Sequence, residues 1–346
     1  MNLQYQGDTI APIILEELRR ETAAYRHPSR LKSIWQLANT LVPYIALWVL
    51  IRLVMNYSVW LALPLILLAA GFLVRIFIIF HDCGHRSFFR SRRANRFWGV
   101  ITGVLTFTPY YTWRINHARH HGTSGNLDKR GHGDVWTMTV DEYRNAPLST
   151  RIKYRLYRNP AVMFLLGPVQ FILIRNRKPL RGAGREDRRS VYGTNAAILG
   201  LAVALIFLLG WKEYLFIQFS ILYLGVMGGI WLFYVQHQFE GVYWADDREW
   251  DFVQASIKGA SYYKLPAVLR WFTGNIGFHH VHHLNPSIPN YNLPHCHERA
   301  PILRESPTIG IFASLKSLKY RLWDEKNREL VSFRRLRRSG DSTIQE

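Results

Sequence analysis

The sequence predicts an all-α integral membrane protein, with four transmembrane helices in two hairpins and a histidine-rich cytoplasmic cap that includes interfacial helices. Three observations lead there. Four apolar runs are long enough to cross a bilayer, they fall into two close pairs, and histidine clusters stand just past the ends of those pairs. Mean hydropathy is near zero, but this average conceals segregation into long apolar runs and arginine-rich stretches, as in membrane proteins with large polar parts.

Residues 1–36 are polar and carry Arg19, Arg20, Arg26, Arg30 and Lys32 without an early apolar stretch. No secretory leader is expected there. Residues 37–80 form the first predicted hairpin, Leu37 to Met55 and Val59 to Phe80, joined by "NYS". Each run supplies the roughly 20 apolar residues that a helix needs to span the hydrocarbon. Arg52 and Arg75 interrupt them, and both are expected to snorkel to the headgroups.

Residues 81–194 hold two of the histidine clusters and two shorter apolar stretches, 97–113 and 161–174, each containing a proline. Were 97–113 to cross the membrane, the histidines before and after it would lie on opposite faces. The first stretch is therefore read as interfacial or re-entrant, packed on protein, and the second as lying on the membrane surface. "RKPLRGAGREDRRS", 177–190, reads as a charged linker. Residues 195–236 form the second hairpin, Asn195 to Trp211 and Tyr214 to Val235, turned by "KE". Residues 237–346 close the chain with the third cluster, an expected amphipathic helix at 312–323, and a tail from Ser339 expected to be disordered.

If both hairpins enter from and return to the cytoplasm, both termini lie there. Of the 44 lysines and arginines, only Arg52, Arg75 and Lys212 then fall in spans or outside turns, as the positive-inside rule requires. The formal charge of +20 thus reads as basic loops facing anionic headgroups rather than as a nucleic-acid surface. Cys83 and Cys296 are the only cysteines, which excludes a disulfide framework and cysteine-based zinc or iron–sulfur motifs. Both are expected as free thiols.

Chemistry concentrates in "HDCGH" at 81–85, "HARHH" at 117–121 and "HHVHH" at 279–283. His81 and His85 share a helix face at i, i+4, and His117, His120 and His121 follow i, i+3, i+4. His237, where the fourth run ends, is delivered to the same layer. Eight cluster histidines and His237 exceed what one ion can hold, so two ions with four or five imidazoles each are predicted. Imidazole suits iron, copper, nickel or zinc alike. In the third cluster, helical phase allows either 279/282/283 or 279/280/283 as the metal-facing set. His27, His132, His295 and His297 read as loop histidines. There is no Glu-x-x-His pair, no His-Glu-x-x-His and no glycine-rich nucleotide fingerprint, which removes carboxylate di-iron bundles, zinc proteases and nucleotide enzymes.

With these residues in place, the chain resembles the membrane fatty acid desaturases. That family's three boxes, His-x(3–4)-His, His-x(2–3)-His-His and His-x-x-His-His, match His81/His85, His117/His120/His121 and His279/His282/His283. "HDCGHRSFF", "NLDKRGHGDVW", "LYRNPAVMFLLGP" and "GNIGFHHVHHLNPSIPNYNL" are similar to the bacterial acyl-lipid desaturases, the Bacillus delta-5 type above all and the delta-12 type as well. The resemblance implies a di-iron centre that uses O2 and two electrons to take two hydrogens from adjacent methylenes of a membrane-lipid acyl chain, leaving a cis double bond and water. It implies the box histidines His81, His85, His117, His120, His121, His279, His282 and His283 as ligands, with no catalytic side chain beyond the metal centre, in a bacterial plasma membrane; His237 joins the expected ligands by its position at the end of the fourth run. The box pattern leaves His280 as a supporting neighbour.

Asp82, Asn116, Asp134, Asn275, His280 and Glu240 are candidates to hydrogen-bond ligating rings from behind. The chain has neither a His-Pro-Gly-Gly motif nor a ferredoxin cysteine set. A separate donor, ferredoxin- or flavodoxin-like, is therefore expected on the basic face. A histidine-box hydroxylase or ketolase would use the same boxes. A metal transporter would place ligands inside the spans, and here they gather at one end.

Overall fold

Serine hydroxyls start the first two long helices. Residues 10–336, apart from 132 and 181, are described by the computed structural model of the chain. The Ser29 side chain accepts the Lys32 amide and that of Ser58 accepts the Trp60 amide, so Arg30–Met55 and Val59–His85 begin at capped ends. Two more long helices follow, Arg185–Leu209 and Trp211–His237, and all four are long and apolar enough to cross a membrane. At 1.5 Å per residue each measures about 38–40 Å, longer than the roughly 30 Å of hydrocarbon. Their ends therefore stand clear of it, and those ends carry His81, His85 and His237.

The second span is the centre of the bundle, with 56% of its apolar window buried against 11% for the third. Lipid competes equally for apolar faces, so close packing must supply the association between spans. Gly225 shows how close it is: a Cβ there would come within 2.8 Å of the Leu73 side chain. Ile51, Ile66, Ile76, Ile217 and Ile221, all 0–1% exposed, fill the contact between the first, second and fourth spans.

Several expectations change. The third span starts at Arg185, ten residues before Asn195, because Glu186 and Asp187 occupy its first turn and favour the positive end of the helix dipole. The second half of the 177–190 stretch is therefore helix, not linker. Arg75 does not snorkel. It is 7% exposed, its Nε donates to Thr40 Oγ1 at 3.0 Å, its Nη1 donates to the Trp271 carbonyl, and it lies 3.9 Å from the Trp271 ring centroid. These partners satisfy the guanidinium in place. Arg52 donates to the Leu209 carbonyl at 3.3 Å and to Asn56 Oδ1 at 2.5 Å, tying the turn ends of the two hairpins together.

The apolar stretch 97–113 divides between Arg92–Leu105 and Tyr110–Thr123, helices of 14 residues each. The stretch 161–174 folds into short helices, Pro160–Leu165 and Gly167–Gln170, and a π-helical turn, Phe171–Arg175. The amphipathic helix expected at 312–323 is not formed. One helical turn, Ile311–Ser314, and a 3-10 segment, Leu315–Lys319, lead into a strand, Leu322–Asp324. That strand pairs parallel with Met138–Thr139 and antiparallel with Glu329–Val331. Leu322 and Trp323, 0% and 2% exposed, are needed in this small sheet, and that tertiary demand overrides helical spacing. The tail from Ser339 lies outside the described residues.

Cys83 and Cys296 are buried free thiols. Cys296 sits in apolar packing that pushes its pKa up to about 12.

Candidate metal centre

Four segments deliver the nine clustered histidines to one place. His81 and His85 end the second span, His117, His120 and His121 lie in Tyr110–Thr123, His237 ends the fourth span, and His279, His282 and His283 lie in the short helix His279–Leu284. They sort into two nests. Nitrogens of His81, His85, His117, His121 and His282 all lie within 4.8 Å of one another, as do those of His120, His237 and His283. His279 completes the second nest, its Nε2 being 2.9 Å from that of His237 and 3.1 Å from that of His283. The nests adjoin, with the His121 and His283 rings stacked 4.3 Å apart.

The nests do not follow the boxes. In each of the two helices that carry three nest histidines, the i, i+4 pair enters one nest and the remaining ring enters the other: His117 and His121 against His120, His279 and His283 against His282. Residues four apart stack on one face, whereas a residue three along is rotated toward the neighbouring groove.

Within each nest the Nε2 atoms point at one another. His117 Nε2 is 3.0 Å from His81 Nε2 and 3.2 Å from His121 Nε2, and His282 Nε2 is 3.0 Å from His121 Nε2. Across the second nest His120 Nε2 stands 3.3 Å from His237 Nε2. That last pair is diagnostic. His120 Nδ1–H donates to Asp134 Oδ1 at 2.7 Å and His237 Nδ1–H donates to the Gly259 carbonyl at 3.2 Å. In a neutral imidazole a proton on Nδ1 leaves Nε2 as a bare lone pair, so two lone pairs face each other with no proton to share. His81 is fixed in the same way, its Nδ1 3.2 Å from Asp82 Oδ1. Such a pair repels unless a cation lies between, and two nitrogens each about 2.0–2.1 Å from one ion stand about 3 Å apart. The donor set and its spacing fit metal ions.

Burial, reinforced by the neighbouring imidazoles, holds His117, His121, His279, His282 and His283 well below the ordinary histidine range. His280 falls to about 3 for the same leading reason. The rings are thus neutral and able to bind metal at working pH. In the unfolded chain they take up protons below about pH 6.5, which the fold resists, so stability is complete above that value and is lost as pH falls through it. The unfolding temperature of the metal-free protein in detergent is expected to hold from about pH 7.5 to 6.5 and to drop steeply by about pH 5.5. A flat profile across that range would contradict the buried, neutral assignment.

The supporting residues separate into two groups. Asp82 and Asp134 contact cluster rings, and Asp82 Oδ2 is itself held by the Asn290 amide at 2.7 Å and by its side-chain nitrogen at 2.8 Å. The other candidates are corrected. Asn116 makes no side-chain hydrogen bond among the described residues, Asn275 donates to the Asn290 carbonyl at 3.1 Å from a left-handed backbone position (φ 58), and Glu240 is exposed. His280 turns away from both nests and meets His297, Nε2 to Nδ1, at 3.0 Å. His297 is therefore not a free loop histidine. His27 and His295 are exposed, and His132 lies outside the described residues.

Two walls were not read from the sequence. Trp113 stacks on His117 at 4.3 Å, and Phe233 packs 5.3 Å from His120 and 5.1 Å from His237. Each stands four residues before a clustered histidine on the same helix, which is the signal that could have found them. Gly84 makes room for the first wall, since a Cβ there would fall 2.6 Å from the Trp113 ring.

Residues 58–309 match the family described as "Fatty acid desaturase". The chain is 50% identical over 322 residues to the fatty acid desaturase of Bacillus subtilis (strain 168), covering 93% of this chain and 92% of that one. It is 27% identical over 259 residues to the sn-1 oleoyl-lipid 12-desaturase of Synechocystis sp., covering 70% and 69%. It is also 27% identical over 252 residues to the sn-1 acyl-lipid omega-3 desaturase (ferredoxin) of Nostoc sp., covering 68% and 66%.

Proposed function

This chain belongs to the fatty acid desaturase family, and we propose that the nine clustered histidines hold a pair of iron ions with which it desaturates acyl chains of membrane lipids at the expense of O2. The observation that carries this reading is the meeting of two Nε2 atoms at 3.3 Å in a buried nest, each ring held from behind at Nδ1 by Asp134 or the Gly259 carbonyl. His81, His85, His117, His121 and His282 would hold one ion, and His120, His237, His279 and His283 the other. When bound, the iron pair supplies, with O2 and two electrons, the oxidising power that an unactivated C–H bond demands and that no protein acid or base can provide.

The chain's own residues do the rest. Asp82 and Asp134 fix the ring orientation of His81 and His120 and raise the basicity of each ring. Trp113 and Phe233 cover His117, His120 and His237 and exclude water. Because the second and fourth spans end in His81, His85 and His237, an acyl chain lying in the bilayer reaches the site without leaving apolar surroundings. The lysine and arginine distribution supports a cytoplasmic histidine face in a bacterial plasma membrane, with both termini on that side. A relative named for ferredoxin and this chain's charge of +20 support a separate, acidic, one-electron donor.

Expression in cells lacking desaturases, followed by location of double bonds in the membrane lipids, tests the reading. New cis-unsaturated acyl chains are expected. Hydroxylated products, or no new product from iron-loaded protein with a competent reductant, would overturn it. Asp134→Asn is expected to weaken metal binding in the His120 nest by about 10–100-fold, read as the free-metal concentration that half-fills it, with the other nest unchanged.

A further inference from the structure

His280 is fully buried, yet it faces neither nest. Its Nε2 meets Nδ1 of half-buried His297 at 3.0 Å. Tyr262 and Phe278 complete a patch of four rings: Tyr262 stacks on Phe278 at 4.5 Å, and His297 lies 5.0 Å from Tyr262, 5.2 Å from Phe278 and 5.0 Å from His280. His279, bonded to His280 through the chain, contributes its Nε2 to the second nest. The patch thus leads from the chain neighbour of a clustered histidine to the surface, by one covalent step from His279 to His280 and by ring contacts from there outward. Trp113 leads the other way, from His117 to Phe77 and Phe80 among the apolar helices. Exposed Arg299 and Arg304 stand two and seven residues past His297 in the chain, with exposed Glu298 just before Arg299; Arg304 donates to the Glu298 carbonyl.

We infer that the His280–His297 pair is the electron entry port, and that an acidic one-electron carrier protein docks over His297, Arg299 and Arg304. This rests on the proposed metal assignment and deepens it. Each docked carrier is oxidised by one electron and the metal centre is reduced by one, so two carriers serve one turnover; the imidazole pair passes charge and keeps its protons. His280 and His297 are positioning residues for that transfer and hold no metal.

The test uses the full-length, metal-loaded protein in detergent and follows reduction spectroscopically, with reduced flavodoxin in one arm and dithionite in the other. His297→Leu is expected to lose most of its rate with flavodoxin while keeping its metal content and its dithionite rate. Arg299→Gln combined with Arg304→Gln is expected to weaken flavodoxin binding by about tenfold, also in metal-free protein, with the difference vanishing at high salt. An unchanged flavodoxin rate in His297→Leu, an equal slowing with dithionite, or loss of metal would each overturn the port. Failure of wild-type protein to bind two metal ions at all would instead sink the underlying assignment.

Discussion

His237→Ala is expected to abolish desaturation, lowering product by more than about 100-fold, since even losing a group behind a ligand costs 10–100-fold. His237 is 6% exposed and occupies the middle of the smaller nest, 3.3 Å from His120 Nε2 and 2.9 Å from His279 Nε2. Removing it leaves three rings with no fourth to complete the set, because the nearest other imidazoles already face the five-membered nest. Metal content is therefore expected to fall toward half, the remaining ion lying with His81, His85, His117, His121 and His282. His280→Ala is the control and is expected to retain both ions. If His280→Ala lost metal and His237→Ala kept it, the assignment of rings to nests would be wrong.

Arg158→Ala carries the largest expected effect on stability. Arg158 is 1% exposed and donates to the Trp136 carbonyl at 3.0 Å, to Gln238 Oε1 at 2.7 Å and to the Tyr320 carbonyl at 2.9 Å. It also lies near Tyr234 and Thr137 oxygens at 3.4 and 3.3 Å. No carboxylate is among these partners. Truncation would leave the buried Gln238 Oε1 and the part-buried Trp136 carbonyl without this donor, at about 1–3 kcal/mol each, for a loss of roughly 2 kcal/mol or more, while the Tyr320 carbonyl keeps the Tyr234 hydroxyl and Arg321 Nη1 as donors. The result expected is a sharply lowered unfolding temperature and poor accumulation in membranes. The segments released include residues 136–137, just after Asp134, and Gln238, next to His237, so bound metal should fall as well. Arg158→Lys, which can keep one or two of the bonds, is expected to be intermediate. Wild-type thermal behaviour in Arg158→Ala would show that these contacts carry no net stability.

The spans and the nine clustered histidines were legible because both are written in local pattern. Apolar length marks a span, and i, i+3, i+4 spacing marks convergent rings. The sorting of rings into nests was not legible, since it depends on how Tyr110–Thr123 and His279–Leu284 are rotated against each other. Arg75 misled for a related reason. A charge in an apolar run reads as a snorkelling side chain unless its partners are known, and Thr40 and Trp271 lie 35 and 196 residues away along the chain. The 312–323 segment departs from its helical spacing because its burial is decided by a strand partner at Met138–Thr139. Arg158 belongs to the stretch "LYRNPAVMFLLGP", where nothing in the local sequence explains a buried arginine. The reason is the set of distant carbonyls it joins.

Both cysteines are free, so no covalent bond closes a loop in this chain. The nests can do so instead: His81 and His282 meet in one of them across 201 residues of sequence (282 − 81). A cross-link of that span restricts the unfolded chain by about 5 kcal/mol on the chain-entropy account of disulfides. Metal at this site would thus act as a reversible staple holding the ends of the two hairpins together, and a cell short of it would face loosely closed chains as well as idle ones.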